Sequence, residues 1–362
     1  MIISKPTFVV DENICKLNIY RMIQKAKKAN VIFRPHFKTH QSAEIGNWFR
    51  EQGVDKITVS SVFMATYFAD HGWKNILIAF PVNILEMDQI NALADRIELY
   101  LAVESESSVN FLANKLTGKA GIYIEIDEGY HRTGIEAEKT SEIGRLLRTI
   151  KSSDVMKFEG FMAHFGQTYS ASTQSEVERM YNSGMKKLSI LKHEFRDINP
   201  ALKISVGDTP SCSLLEDFTD ADEIRPGNFV FYDVMQYHIG SCAINDIAAA
   251  LVCPVVAIYP DRNEFVVYGG AVHLSKESTI ERAGQKIFGL VSLWKENRWG
   301  LPLDNTFVER MSQEHGIVKT TPAVIHSLNH GDLVAILPIH SCLTANLAEK
   351  YVTTGGAILK KV

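Results

Sequence analysis

Lys38 is the side chain in this sequence with the clearest potential for covalent chemistry. It lies in the stretch Val31–His40, where an apolar run ends at a proline and a lysine follows between two histidines. A lysine amine forms Schiff bases with carbonyl compounds, pyridoxal phosphate among them, when burial or nearby cations lower its pKa. Arg34, His36 and His40 are such neighbours. Lys38 is therefore either a coenzyme-binding lysine or, more simply, a solvated charge on a loop.

A second group of polar side chains follows other apolar runs of the chain. Asp127-Glu128-Gly129 is also typical of a turn and His164 of a core histidine, whereas a guanidinium such as that of Arg132 is always charged. The small-residue loop around Gly207 offers close backbone approach and hydroxyl donors, which suits a phosphate group. The candidates are Arg132 in the loop 127–134, His164 and Tyr169, Gly207 and Thr209, and Tyr232.

His340 and Cys342 form a candidate metal pair near the end of the chain. On an extended segment, residues two apart point to the same side, so an imidazole nitrogen and a thiolate could converge on one ion, as zinc prefers. Two ligands alone are also compatible with chance. His315 and His330 are further ring donors in the same part of the sequence, and both are equally typical of turns.

Regular alternation of strand and helix patterns must position these side chains. Runs rich in β-branched and aromatic residues predict eight strands, and amphipathic helical stretches capped by Asp11, Ser42, Ser105 and Thr173 lie among them. This order favours a closed (β/α)8 TIM barrel over residues 11–240 more than an open doubly wound sheet. Barrel enzymes bind substrates where the strands end, which is where the candidates lie. The predicted strands are Val31–His36, Lys56–Ser60, Ile76–Phe80, Glu98–Val103, Gly121–Ile126, Phe158–His164, Lys203–Val206 and Glu223–Phe231.

Residues 241–362 have a different, β-rich pattern with turn signals at 260–263 and 355–356. We predict a second domain here, which the N-terminal strand of residues 1–10 joins. The pattern of residues 275–305 favours neither helix nor strand. The predicted strands are Ala248–Ile258, Glu264–Tyr268, Ile317–Val318, Asp332–Leu337 and Tyr351–Lys360.

The composition of the chain argues against several classes of protein function. With 46% hydrophobic and 22% charged residues the chain is typical of a globular protein, and its net charge of −4 offers no field that would attract nucleic acid or an anionic membrane. No run is long and apolar enough to predict a membrane helix or a signal peptide. The five cysteines are widely spaced and lack a CxxC pair, which favours a reducing, cytoplasmic setting.

Taken in order, these motifs resemble the D-serine dehydratase and D-threonine aldolase family, which belongs to the alanine-racemase-like, fold-type III pyridoxal phosphate enzymes. The resemblance spans nearly the whole chain and implies an alanine-racemase-like barrel followed by a β-rich C-terminal domain, a D-amino acid substrate and a homodimer. It is carried by the run 35–40, the loop 127–134, Ser205 to Thr209, Arg225-Pro226-Gly227, and His340 with Cys342.

The resemblance also implies roles for individual residues. Lys38 binds the coenzyme and moves the Cα proton, while Arg132 lies close to the pyridine ring. Gly207 and Thr209 contribute to the phosphate site, with His164, Tyr169 and Tyr232 as further coenzyme contacts. His340 and Cys342 match the family's divalent-metal ligands, and the soft thiolate favours zinc over manganese.

Two reactions fit such a site. β-Elimination gives a 2-oxo acid and ammonia, whereas retro-aldol cleavage gives glycine and an aldehyde. The His-x-Cys pair resembles the zinc-using dehydratases of the family, so we expect β-elimination, with D-threonine aldolase activity as the alternative. An amino-acid racemase and a non-catalytic coenzyme-binding protein are less well supported, because neither needs the metal pair.

Overall fold

The computed structural model describes residues 2–280 and 284–362, and these form two compact units. Of the described residues, the barrel unit comprises 20–38, 46–227 and 362, and the β unit comprises 2–19, 39–45, 228–280 and 284–361. The predicted domain limits of 11–240 and 241–362 stay a prediction. Among the described helices, none has the length and apolar character needed to span a membrane.

Strands occur in both units. In chain order the strands are β1 (Thr7–Val10), β2 (Ile32–Phe33), β3 (Lys56–Val59), β4 (Asn75–Pro81), β5 (Glu98–Val103), β6 (Ala120–Asp127), β7 (Ile135–Glu136), β8 (Met156–Ala163), β9 (Lys203–Val206), β10 (Glu223–Ile224), β11 (Ala249–Tyr259), β12 (Glu264–Tyr268), β13 (Thr279–Ile280), β14 (Lys286–Ile287), β15 (Gly289–Lys295), β16 (Arg298–Trp299), β17 (Phe307–Met311), β18 (His315–Lys319), β19 (Leu333–Pro338), β20 (Lys350–Thr353) and β21 (Ile358–Lys360).

The helices begin where the capping residues of the sequence predict. Asp11, Ser42, Ser105 and Thr173 each accept a hydrogen bond from a backbone N–H in the first turn of the helix that follows, which satisfies an otherwise unpaired donor. The helices are α1 (Glu12–Lys28), α2 (Ala43–Arg50), α3 (Val62–Asp70), α4 (Met87–Ala94), α5 (Glu106–Lys115), α6 (Thr140–Lys151), α7 (Gln174–Glu194), α8 (Thr209–Leu214), α9 (Val234–Ile239), α10 (Ala271–Leu274), α11 (Pro322–Ile325) and α12 (Ser341–Leu347).

The barrel unit is built on eight parallel strands in the order β2-β10-β9-β8-β6-β5-β4-β3, and a parallel bridge between His36 and Thr58 closes the ring. This confirms the predicted barrel. The eighth strand is shorter than predicted, because β10 ends at Ile224 rather than Phe231. Pro226 has no N–H to donate to a strand ladder, and a 3-10 turn over Asn228–Val230 follows.

The β unit contains a mainly antiparallel sheet in which β11, β12, β18, β17, β15 and β19 close on one another, because β12 pairs with both β18 and β11. Strand β1 lies between β11 and β20. The predicted strand Tyr351–Lys360 is a hairpin of β20 and β21 that turns at Gly355-Gly356. Strands β13 to β16 lie in the stretch whose pattern was ambiguous.

Candidate active site

Lys38 lies beyond the carboxyl end of β2 and is exposed, while the preceding Phe37 is fully buried. The Phe37 ring packs against Phe49, Phe68 and Trp73, with ring centroids 5.0, 5.0 and 5.1 Å apart. The Lys38 backbone N–H donates a hydrogen bond to Nδ1 of His36 at 3.3 Å. The aromatic anchor therefore fixes the backbone beneath the lysine and leaves its amine directed away from the core.

Basic side chains gather around His36 at the same end of the barrel. Burial lowers the pKa of His36 well below its usual value, and the charges of Lys38, Arg225, His164 and Arg132 lower it further. The imidazole is thus kept neutral while its neighbours supply positive charge. Such a site suits an anionic ligand, because cations that converge in a partly desolvated pocket interact strongly with phosphate or carboxylate.

His164, which follows β8, faces this cluster and the loop after β9. Its Nδ1–H donates a short hydrogen bond to the carbonyl of Gly207, which fixes the tautomer and leaves Nε2 as an acceptor. Burial lowers the pKa of His164 to about 3, with Arg132 and Lys38 contributing. The structure thus brings His164 together with the lysine and arginine that the sequence singled out.

The loop after β9 has the properties expected of a phosphate site. A Cβ atom on Gly207 would lie 2.8 Å from Cβ of Arg225, so only glycine fits against that arginine. The backbone N–H of Thr209 donates to the Tyr169 hydroxyl at 3.3 Å. The side-chain hydroxyl of Thr209 is buried and lacks a partner within the described residues. A phosphate would supply an acceptor for this donor, so the residues present fit such a group.

Asp208 holds this loop and was missed by the sequence reasoning. Its carboxylate accepts from the Ser211 N–H at 2.6 Å and from the Thr168 hydroxyl at 2.9 Å, so it caps α8. Burial raises the pKa of Asp208 to about 6, although these hydrogen bonds oppose the shift. An aspartate followed by Thr-Pro is a helix-cap pattern, which could have indicated this role.

Arg132 is presented by a loop that Asp127 organises. The Asp127 carboxylate accepts from the N–H groups of Gly129 and His131, both at 2.9 Å, and lies 2.8 Å from the His131 ring. Strand β7 then pairs with the end of β6, so the loop is closed at its base. Gly134 has a φ of 105°, a backbone conformation that favours glycine. The stretch 127–134 is thus a turn, as its Asp and Gly residues predict, and it is also the loop that presents Arg132.

A small cavity of about 10 Å³, enough for one water molecule, lies behind this loop. Glu125, Glu128, Arg132 and His164 are among its lining residues. Burial, together with the charge of Asp127, raises the pKa of Glu128 to about 7. Glu128, whose pKa is close to neutral, therefore lines the same cavity as the basic residue Arg132.

His340 and Cys342 lie in the β unit, where β19 gives way to α12. The prediction that both lie on one extended segment is wrong: His340 is the extended residue before the helix, and Cys342 is in the first helical turn. Among residues 2–280 and 284–362, no three His, Cys, Asp or Glu side chains are grouped so that they could hold a metal. His315 and His330 thus do not complete the pair.

Thr39 and Asn228 are among the polar side chains that contact the Cys342 sulfur. The Thr39 hydroxyl lies 3.2 Å from Sγ, and the Asn228 amide donates to Sγ at 3.5 Å. Thr39 directly follows Lys38 in the chain. One imidazole nitrogen and one thiolate sulfur are donors that suit zinc and leave positions open for water or substrate, so this donor set fits such an ion.

Tyr232 is the remaining predicted coenzyme contact, and it belongs to the β unit. It was predicted to end the eighth strand, but it lies eight residues beyond the end of β10, with a φ of 49°. Its backbone N–H donates to the carbonyl of Asn228 at 2.8 Å. The other predicted coenzyme contacts, from Lys38 to Thr209, lie in the barrel unit.

Two family models match the chain. Residues 10–234, well over half of its length, match "Alanine racemase, N-terminal domain", and residues 248–354 match "Putative serine dehydratase domain". The second match contains both His340 and Cys342.

Curated relatives align along almost the entire chain. A D-serine dehydratase of Dictyostelium discoideum is 28% identical, with 96% of this chain and 93% of that protein covered. A D-threo-3-hydroxyaspartate dehydratase of Delftia sp. is 27% identical, with 94% of this chain and 92% of that protein covered.

Solved structures of D-threo-3-hydroxyaspartate dehydratase show the same fold. The Delftia enzyme superposes with a TM-score of 0.91 at 25% identity and covers 99% of this chain and 98% of its own. In one variant, solved in the metal-free form, a cysteine is replaced by alanine, and in another the histidine two positions before that cysteine is replaced. His340 and Cys342 have the same order and spacing.

Proposed function

We propose that this chain, which belongs to the D-serine dehydratase and D-threonine aldolase family of alanine-racemase-like proteins, is a pyridoxal-phosphate-dependent lyase. Its substrate would be a D-β-hydroxy amino acid, and its reaction a β-elimination that gives a 2-oxo acid and ammonia. The observation that carries the proposal is the clustering of Lys38 with Arg132, His164 and Arg225 at the carboxyl end of the barrel.

The barrel unit supplies the residues that would hold the coenzyme. Lys38 would bind it covalently, and Thr209 and Gly207 would hold its phosphate, for which the buried, unpartnered hydroxyl of Thr209 is the support. When bound, the coenzyme withdraws electrons from the substrate Cα and so acidifies the Cα proton. The Lys38 amine, once free, would take that proton. His164 and Tyr169 would line this site, and Tyr232 stays a predicted contact.

Arg132 would lie against the pyridine ring, as the family resemblance implies. A permanently charged guanidinium disfavours protonation of a neighbouring ring nitrogen. The coenzyme would then be a weaker electron sink for the Cα carbanion, so help with expulsion of the leaving group is a reason for a second cofactor.

His340 and Cys342 would hold a divalent cation, with zinc favoured by the thiolate. Such an ion acts as a Lewis acid on an oxygen and lowers the cost of expelling the β-hydroxyl. The support is the matching histidine and cysteine in the variants of the related dehydratase, one of which is described as metal-free.

Elimination is favoured over retro-aldol cleavage by two observations. The metal pair lies within the residues matched by the serine dehydratase model, and both relatives described above are named as dehydratases. We also propose that the protein acts as a homodimer in the cytoplasm. The first follows from the resemblance and the second from the five widely spaced cysteines, which include no CxxC pair.

Product analysis on D-threonine separates the two reactions, because one substrate can undergo both. We expect 2-oxobutanoate and ammonia from the protein supplied with coenzyme and zinc. A chelator should abolish turnover and added zinc should restore it, whereas a chelator already saturated with zinc should have no effect. Glycine and acetaldehyde as the products would show that the aldolase reaction is the true one, and turnover that survives chelation would remove the metal from the proposal.

A further inference from the structure

Asp233 is a fully buried carboxylate beside the candidate metal pair, and the sequence reasoning gave it no role. It lies in the β unit, directly before α9, and its two oxygens are surrounded by donors. Oδ1 accepts from the Gln236 N–H at 2.9 Å. Oδ2 accepts from the Asn228 amide at 2.6 Å and from the Ser341 N–H and hydroxyl at 3.0 and 3.3 Å.

The same oxygen faces His340. Nδ1 of His340 lies 3.3 Å from Oδ2 of Asp233, and the His340 side chain is about one-fifth exposed. This contact is an ion-pair approach rather than an aligned hydrogen bond, because Nδ1 of His340 is buried and has no hydrogen-bond partner of suitable geometry among the described residues.

We infer that Asp233 is a positioning residue for His340: it holds the imidazole in the Nδ1–H tautomer and directs Nε2 toward the metal. This inference rests on the metal site of the proposed function and deepens it. A carboxylate at this distance favours the tautomer that carries its proton on Nδ1, which leaves the lone pair of Nε2 for the ion. Metal-ligating histidines are commonly held this way by a carboxylate.

Asp233 is not itself suited to be a third ligand. Both of its oxygens already accept hydrogen bonds, and its side chain is inaccessible to solvent. The part of the chain that the structure describes also has no three grouped metal-ligating side chains.

Asn228 connects Asp233 to Cys342, the second candidate metal ligand. Its side-chain nitrogen lies 2.6 Å from Asp233 Oδ2, 3.1 Å from the Ser341 hydroxyl and 3.5 Å from the Cys342 sulfur. The buried Asp233 carboxylate thus contacts the Asn228 amide, which donates to the Cys342 sulfur. It also contacts the His340 ring. Loss of the charge at position 233 should disturb both ligands together.

Asp233 also caps α9, so a test must separate capping from metal positioning. Asparagine caps a helix about as well as aspartate but carries no charge. We therefore compare Asp233→Asn with Asp11→Asn, which makes the same change at the cap of α1 in the same unit. Zinc affinity is measured by chelator competition on the coenzyme-loaded, metal-free protein, and thermal unfolding is recorded for each variant.

We expect Asp233→Asn to weaken zinc binding about 10- to 100-fold, as loss of such a partner does in other sites. Asp11→Asn should bind zinc like the wild type. Asp233→Glu, which restores the charge, should recover part of the loss. Wild-type zinc affinity in a folded Asp233→Asn protein would overturn the inference alone. No zinc binding by the wild type would overturn the proposed metal site and the inference with it.

A second measurement needs no variant at position 233. In zinc-loaded wild-type protein labelled with ¹⁵N-histidine, the nitrogen shifts of His340 report its tautomer, and the signal is assigned by its loss in His340→Gln. We expect a protonated Nδ1 and a metal-coordinated Nε2. Coordination through Nδ1 would overturn the inference whatever the substituted proteins do.

Discussion

The charges at the mouth of the barrel come from a few side chains with fixed protonation. His36 and His164 are kept neutral because burial and the neighbouring cations lower the pKa of each, so they hydrogen-bond without adding charge. Arg132 and Arg225 remain cationic at any physiological pH. The positive charge of these side chains therefore favours binding of an anion at this site.

Glu128 is a carboxyl group of this site whose ionisation should change the free energy of unfolding with pH. Its pKa is raised to about 7 by burial and by Asp127, whereas an unfolded glutamate titrates near pH ~4.3. Its contribution to stability is therefore fully present below about pH 4 and is lost as the pH rises through about 7. Relative to Glu128→Gln, the wild type should lose about 2 kcal/mol of unfolding free energy between pH 4 and pH 8, after allowance for partial solvation.

Urea unfolding at a series of pH values checks this prediction, with the exposed Glu51→Gln as the matched control. The Glu51 variant should follow the wild-type pH profile. Parallel profiles for the wild type and Glu128→Gln would show that Glu128 ionises normally in the folded protein.

At the scale of elements, the barrel is closed where the first and last strands meet. Strand β2 has only two residues in its ladder and pairs with β10, which is equally short. A buried ion pair reinforces this contact: Nε of Arg34 donates to Oε2 of Glu223 at 2.8 Å, and both side chains are at least 97% buried. The Ser205 hydroxyl donates to the other Glu223 oxygen at 2.6 Å, which ties β9 to the pair.

Glu223→Gln should therefore destabilise the protein strongly, because Arg34 would keep its buried charge without a counter-ion. We expect a loss of about 3–5 kcal/mol in the unfolding free energy, measured by urea denaturation. Glu216→Gln is the control, because Glu216 pairs with Lys28 on the surface at 2.9 Å and such pairs contribute below about 1 kcal/mol. Equal effects of the two substitutions would rule out a special role for the buried pair.

For the molecule as a whole, periodicity and capping predicted most of the architecture. The eight barrel strands and the four helix caps lie where expected, since β-branched runs and Ser, Thr or Asp at helix starts reflect local physics. The end of the eighth strand was placed too late because Phe229 to Phe231 have strand-like side chains. The structure shows that Pro226 breaks the ladder before them.

The site was only partly predictable for a different reason. Lys38 and His340 stand in local patterns that carry a chemical signal. Asn228 and Asp233, by contrast, act through contacts with residues more than 100 positions away, and no local pattern encodes such a pairing. The two-residue strands β13, β14 and β16 were likewise not predictable, since pairs of residues such as Arg298-Trp299 give no period to detect.

Turnover of D-serine by Lys38→Ala tests the central claim most directly, because the proposed reaction requires this amine both to bind the coenzyme and to move the Cα proton. The wild type and the exposed control Lys74→Ala should form pyruvate and ammonia in the presence of coenzyme and zinc. Lys38→Ala should form neither and should lose the absorbance of the lysine-bound coenzyme, while unfolding at the wild-type urea concentration. Pyruvate formation by the folded Lys38→Ala protein at a rate near that of the wild type would contradict the account.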